Sequence, residues 1–399
     1  MQVNLVDALM GSGKTTAMIN HINGADEGIK FLYITPYLNE VERVIASCPT
    51  KKFKQPQVIG TKTRGIKHLF ERGENIATTH ALFGYFDQEI IDIASASNYV
   101  LVMDEVADVI TPLKISKHDL KTILTEHTEI VDGHILRWTT ENYTGEFTKH
   151  KNMCDLGCVG IYNDKAVLWL FPVSVFKGFS EVYLMTYMFS GQMQKYYFDY
   201  YGVECRNLYV KGSCVQTYCL TDEKIDYQYP KLDSLIHILD NKKLNQIGDA
   251  KESLSAAWYE RNKDNVLLGL LRANVSNFFK NYAKTKSNMN IWTTFKEHED
   301  ALKGAGYAKG FLPLNTRASN EYRDRTAVAY LVNKFMNPFV KNFFTVNGIT
   351  VNESAFAVSE MIQFIWRSAI RDGKEIYLYC PSSRMRELLQ NWIENVSEV

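Results

Sequence analysis

Val3-Asn4-Leu5-Val6-Asp7-Ala8-Leu9-Met10-Gly11-Ser12-Gly13-Lys14-Thr15-Thr16 takes the chain from an apolar run through a glycine-rich turn into helix-compatible residues. That order matches the phosphate-binding loop G-x-x-x-x-G-K-[ST], with Ala8 where the first glycine usually stands. Gly11 and Gly13 let the backbone bend so that successive N–H groups point inward as an anion nest. Ser12, Lys14, Thr15 and Thr16 complete the cradle: the Lys14 ammonium reaches outer phosphates and the Thr15 hydroxyl suits a Mg²⁺ shell. The helix starting near Thr15 adds its positive end to the same cavity. A surface turn that happens to read GSGKT is the bland alternative, and the sequence of strand, loop and helix argues against it.

Outward from this loop, Lys30–Pro36 predicts a buried strand ending at a proline, and Asn75–His80 a short strand running into a polar turn. Tyr99–Met103 is the most apolar stretch of the first hundred residues and ends on Asp104-Glu105. Glu181–Tyr187 predicts a further buried strand, and 64–72 a basic helix. Strands alternating with helical stretches at this spacing predict an α/β fold with a parallel, doubly wound sheet. An apolar strand that delivers Asp104 and then Glu105 beside a phosphate loop gives one carboxylate for Mg²⁺ and one to polarise an attacking water. The pair favours ATP hydrolysis over bare nucleotide binding; a strand end capped by solvated acids is the alternative.

Residues 111–160 are polar and show no strong period, while 159–162 and 166–175 are expected to pair across Asn163-Asp164. A loop-rich stretch over 205–235 divides the chain into expected domains 1–205 and 206–399. Beyond it, helical patterns cover 232–284, strands are expected at 289–294, 309–314 and 375–379, and helices at 325–335, 359–370 and 383–392.

With 399 residues the chain is long enough for two or three domains, and 46% hydrophobic residues supply a sizeable core. Lys plus Arg and Asp plus Glu both number 45, so net charge neither indicates nor excludes a nucleic-acid partner. The seven cysteines are scattered without finger spacing and are expected to be reduced thiols. No apolar run is long enough to span a bilayer and the phosphate loop begins within the first ten residues, so a cytoplasmic protein without a signal peptide or membrane partner is expected.

A second signal lies at Gln363-Phe364-Ile365-Trp366-Arg367-Ser368-Ala369-Ile370-Arg371. On a helix, Gln363, Arg367 and Ile370 share a face and Arg371 lies one turn beyond Arg367. Two arginines a turn apart suit bidentate contact with phosphate oxygens. A surface helix with two ordinary arginines is the alternative.

Together these stretches resemble the superfamily-2 (DExD/H-type) helicases over residues 3–380. Ala8-x-x-Gly11-x-Gly13-Lys14-Thr15 resembles motif I, Thr35-Pro36-Tyr37 motif Ia, and Thr78-Thr79-His80 the strand-end motif that follows. Asp104-Glu105-Val106-Ala107 resembles motif II. Thr186-Tyr187 falls where motif III stands, without its usual triplet. Trp292-Thr293-Thr294-Phe295 resembles motif IV, and Asn315–Asn320 lies where motif V belongs. Gln363-x-x-Trp366-Arg367-x-x-x-Arg371 is similar to motif VI, with Trp366 in place of glycine and the second arginine one residue late.

The resemblance implies two tandem recombinase-like (P-loop NTPase) domains, each a mostly parallel sheet flanked by helices, with ATP and Mg²⁺ as cofactors. By that pattern Lys14, Glu105, Arg367, Arg371 and Gln363 act in catalysis, Thr15 and Asp104 hold the metal, and Gly11 to Thr16 hold the nucleotide. Thr35, Pro36, Thr78, Thr79, Thr294 and Asn320 would contact nucleic acid. The compact form is similar to helicase-type ATPases that bacteriophages encode for replication. It implies a single-stranded or forked nucleic-acid partner, DNA rather than RNA, with replication proteins alongside and the host cytoplasm as the location. The competing class is a nucleotide-switched scaffold that binds nucleic acid or protein without unwinding. A packaging motor would be expected to continue into a nuclease-like cluster of acids, which the second half lacks.

Overall fold

The computed structural model describes residues 1–58, 60–162, 166–227, 229–263, 265–314 and 321–397. By contacts the chain forms two compact units. The first takes Met1–Asp7, Lys14–Glu223 and Met336–Val351; the second takes Ala8–Gly13, Lys224–Phe335 and Asn352–Val399.

The first unit begins with β1 (Gln2–Asp7), β2 (Phe31–Thr35), β3 (Ile76–Thr79) and β4 (Val100–Asp104). An excursion follows, with β5 (Ile110–Pro112), β6 (Thr128–Val131), β7 (Ile135–Trp138), β8 (Val159–Tyr162) and β9 (Ala166–Leu170). The chain then returns through β10 (Glu181–Thr186) and β11 (Glu204–Asn207). The main sheet has the order β11-β1-β10-β4-β2-β3, and all of its pairings are parallel. Its central strands are nearly continuous apolar runs because helices cover both faces of a parallel sheet; Leu32, Ile34, Leu101, Val102 and Leu184 are all fully buried. The register sets Asp7 opposite Thr186 and Asp104 opposite Met185. Polar side chains therefore collect at the carboxyl edge, where ligands bind in open α/β sheets.

The excursion builds a separate five-stranded antiparallel sheet in the order β5-β9-β8-β7-β6. The expected β8–β9 pair is present, in register from Val159↔Trp169 to Tyr162↔Ala166. The irregular region expected over 111–160 is corrected here. Its strands are only three to four residues long, too short to show a period, and Leu136, Trp138 and Val159 bury against Leu120 and Ile123 from a flanking helix. Gly160 is required at a close approach: a Cβ there would lie 3.1 Å from both Leu170 and Phe343 side chains.

After a short antiparallel ribbon, β12 (Tyr209–Lys211) with β13 (Cys219–Thr221), the second unit contains β14 (Ile236–Ile238), β15 (Asn290–Thr293), β16 (Ala327–Tyr330) and β17 (Ile376–Tyr379). They form a parallel sheet in the order β14-β17-β16-β15. Its core gathers Trp292, Tyr259, Phe278 and Tyr379. The molecule is thus α/β with a mostly parallel sheet in each unit, as the sequence led us to expect.

The helical pattern expected over 232–284 is interrupted by the strand β14, and three further local expectations fail in the second unit. The helix expected over 325–335 is instead β16, because Ala327–Val332 is an unbroken apolar run buried on both faces. The strand expected over 309–314 reduces to a 3₁₀ turn, Ala308–Gly310, and one isolated bridge between Phe311 and Trp292. The third concerns the helix expected to reach residue 370. It runs Glu353–Ile365 and stops with Trp366 as its C-cap. Trp366 is buried with its ring edge-on to Trp392 at 5.5 Å. Ser368 turns extended, its hydroxyl donating to the Ile365 carbonyl at 2.6 Å, and the Ala369 N–H is taken by the Arg325 carbonyl at 2.8 Å.

Candidate functional site

The loop after β1 has the backbone that its glycines foreshadow. Gly11 (φ +91°) and Gly13 (φ +88°) are both left-handed, a conformation glycine adopts without the Cβ penalty. Lys14 opens an eleven-residue helix, α1 (Lys14–Gly24), and is itself buried. Ser12 closes the turn by donating its N–H to the Leu9 carbonyl at 3.1 Å, and Thr16 is half-buried on the first turn of α1.

From α1 the Thr15 hydroxyl donates to Asp104 Oδ2 at 3.3 Å. Tyr33, buried on β2, donates its hydroxyl to the same oxygen at 3.2 Å. Burial, reinforced by the neighbouring Glu105 carboxylate, pushes the Asp104 carboxyl from 3.8 up to about 6, against the pull of Arg43 and Lys14. A carboxylate and a hydroxyl this close form the hard-oxygen donor pair that Mg²⁺ prefers, and the glycine turn supplies an anion nest. These residues fit a magnesium nucleotide.

Glu105 sits at φ +68°, a region that costs a non-glycine residue of order 1–3 kcal/mol and persists where the surroundings enforce it. Its N–H donates to the Met185 carbonyl at 2.8 Å, and its Oε2 accepts from the Thr186 hydroxyl at 3.0 Å. Gln192 Nε2 donates to the Thr186 oxygen at 2.9 Å and to the Tyr187 carbonyl at 2.6 Å, and Gln192 Oε1 lies 3.1 Å from the Thr186 hydroxyl. The strained backbone and this hydrogen-bond relay aim one carboxylate.

Sequence reasoning missed several residues here. Asp7, at the end of β1, accepts from the N–H groups of Met188 and Phe189 at 2.7 and 2.9 Å and so ties down the segment after Thr186. Burial raises its pKa, partly offset by those N–H groups and by Lys14. His80 Nε2 lies 2.8 Å from the Asp104 carbonyl, which fixes the proton on Nε2. A polar residue closing an otherwise apolar strand was the available signal for Asp7, and His80 stood in the Thr78-Thr79-His80 stretch without a tie to Asp104; for Tyr33 and Gln192 the sequence offered none.

Among the residues expected to touch nucleic acid, Thr35, Thr78 and Thr294 are buried, while Pro36 and Thr79 are half-buried; Asn320 lies outside the described residues. In the second unit, Gln363 is half-buried on its helix. Arg367 and Arg371 do not share a helical face with it, because the helix has ended. Arg367 is only 4% exposed, its guanidinium 5.2 Å from the Phe364 ring centre and donating to the Leu314 carbonyl at 3.2 Å. Arg371 is half-buried in a 3₁₀ turn, Ala369–Asp372, and remains partly open to solvent. Among the described residues no helix is long and apolar enough to cross a membrane.

Comparisons with known proteins match this architecture. Residues 110–169, the antiparallel sheet, match the family model of the YonV middle domain, and residues 230–393 match that of the YonV C-terminal Rossmann-like domain. A structure of S. tokodaii Xpd4 resembles 98% of this chain and 94% of its own length at a TM-score of 0.50 and 10% identity. The DUF1998 helicase MrfA bound to DNA and AMPPNP covers 99% of this chain and 48% of its own at a TM-score of 0.37 and 11% identity. Of these two, the first supports the fold, and at 10% identity it speaks to the fold alone. The SPbeta prophage-derived uncharacterized protein YonV of Bacillus subtilis (strain 168) is 39% identical over 410 residues, spanning 99% of both chains. With that identity over the whole length and both domain models in place, the chain belongs to the YonV family.

Proposed function

We propose that the chain is a Mg²⁺-dependent ATPase of helicase type that moves along single-stranded nucleic acid, with DNA preferred over RNA. The observation that carries this reading is the carboxyl edge of the first sheet. Thr15 and Asp104 meet at 3.3 Å beside a left-handed glycine turn, and Glu105 is held by Thr186.

Lys14, at the start of α1, supplies a buried positive charge for the outer phosphates, and the turn N–H groups bind the inner ones. Mg²⁺, held by Thr15 and Asp104, would neutralise phosphate charge. Glu105 orients the attacking water and accepts its proton, its direction set by Thr186 and the strained backbone. Asp7 and Gln192 hold the segment 186–189 so that a change at Glu105 is passed to it. Of the two arginines, Arg371 is the partly exposed one and would serve as the transition-state cation, since Arg367 is buried within its own unit. The likeness of the fold to Xpd4 and the prophage origin of the YonV relative are in keeping with a replication or recombination role in a phage-infected cytoplasm.

Phosphate release by purified protein, measured alone, with single-stranded DNA and with single-stranded RNA, tests this reading. The expected result is Mg²⁺-dependent turnover, stimulated more by DNA. Absence of ATP turnover under every condition contradicts the reading. Turnover indifferent to both nucleic acids would replace the motor with a nucleotide-switched scaffold.

A further inference from the structure

The second unit carries an exposed apolar stripe remote in sequence from every residue assigned above. The helix Val266–Asn277 is capped by the Asn265 side chain, which accepts the Leu267 N–H at 3.1 Å. Its inner face is committed to the core through Leu268, Leu271 and Val275. On its outer face Val266, Leu270 and Ala273 recur at i, i+4 and i+7, one above another on a single stripe. Val266 is 82% exposed and Leu270 49% exposed. Aliphatic side chains ranked along one helix face in water cost hydration free energy that a partner would recover.

The surroundings say what kind of partner. Between residues 261 and 286 there are six Lys or Arg and one acid, Asp264, in a chain whose total charge is balanced at 45 and 45. Past Asn277 the chain enters a π-helical turn, Phe278–Tyr282, that carries Lys280, and Lys284 follows it; both are exposed and without an ion pair among the described residues. At the other end Lys263, with Arg261 whose guanidinium is 3.7 Å from Glu252, lines a shallow hollow that reaches Val266. Glu260 lies on the same rim, 3.3 Å from His298. An aliphatic stripe flanked by cations at both ends complements a segment with spaced apolar side chains among carboxylates. A single nucleic-acid strand suits it less well, since bases stack on aromatic faces and the stripe offers Val, Leu and Ala.

We propose that this face docks an acidic protein segment, read as a short amphipathic peptide. The site is separate from the nucleotide site, so it stands or falls independently of the ATPase reading. The probe is a fluorescein-labelled synthetic peptide of about sixteen residues, mostly Asp and Glu with Leu at i, i+4 and i+7. Its controls are the same peptide with Ser for Leu and a labelled oligothymidylate. Fluorescence anisotropy is expected to show the Leu peptide binding the full chain. Leu270→Glu and the double variant Lys280→Glu/Lys284→Glu should each weaken it by at least ~10-fold, and the Ser peptide should bind as poorly. Because these side chains are exposed, melting temperature and basal phosphate release should stay unchanged. Three results would overturn the proposal: no binding of the Leu peptide, binding indifferent to Leu270→Glu, or loss of oligothymidylate binding in Leu270→Glu without loss of peptide. Self-association of the wild type that Leu270→Glu abolishes would also overturn it, in favour of a second copy as the occupant.

Discussion

Asp104-Glu105 and Arg367…Arg371 are both pairs of like charges placed just beyond a buried element, and the protein holds them in opposite ways. The carboxylates sit at the edge of a sheet, partly exposed, and borrow Thr15, Tyr33 and Thr186 from three other elements. Of the arginines, Arg367 has been drawn inside, under Phe364 and onto the Leu314 carbonyl, while Arg371 stays at the surface of a tight turn. A charge held at an open edge is available to a ligand; Arg367, folded into the core, meets an aromatic face and one carbonyl there. Like charges in one short stretch therefore need not share a task.

The comparison breaks most visibly at the loop. Lys14→Ala should reduce phosphate release to background while leaving circular dichroism unchanged, because the proposed function makes this ammonium the main positive partner of the phosphates; residual turnover near wild type would remove the phosphate-binding assignment. Arg371→Ala should leave nucleotide affinity within a few-fold and lower turnover by about 10³–10⁵. Arg367→Ala should instead lower unfolding stability by about 1–3 kcal/mol. Exchange of those two phenotypes would show that the buried arginine is the catalytic one. Thr186→Val removes a hydrogen bond to Glu105 without changing side-chain size, and turnover should fall about tenfold.

The smallest effect concerns Asp104. Its folded-state pKa lies above the unfolded value, so the folded chain holds this proton more tightly and loses stability as pH rises from 3.8 through about 6. Asp104→Asn carries no such cost. It should raise unfolding stability by about 1–3 kcal/mol at neutral pH, with the gain vanishing below about pH 4. A gain that persists at low pH would mean the stabilisation does not come from the buried charge.

The glycine turn and the acidic strand end were legible because each falls in consecutive residues: two glycines before Lys14, an apolar run before Asp104. The α/β class was legible for the same reason, since strands buried on both faces are unbroken apolar runs. Beyond its β8–β9 pair, the antiparallel sheet was not, because strands of three or four residues such as β5, β6 and β7 carry no measurable period. Trp138 and Leu136 reveal their core only once Leu120 and Ile123 fold over them. The end of the helix at Ile365 was equally hidden. No glycine or proline stops it; the pairing of Trp366 with Trp392 and the Ser368 turn do. Gln192 acts through one short loop and His80 through a partner 24 residues away, and no local pattern marks those contacts.

Glu105→Gln tests the central claim most directly, with fluorescent ATP-analogue binding and phosphate release measured on the same preparation. Glutamine keeps the shape and the Thr186 hydrogen bond but cannot take a proton. Binding should stay near wild type while turnover falls by about 10²–10⁴. Turnover equal to wild type in Glu105→Gln would contradict the assignment of this sheet edge as the hydrolytic site.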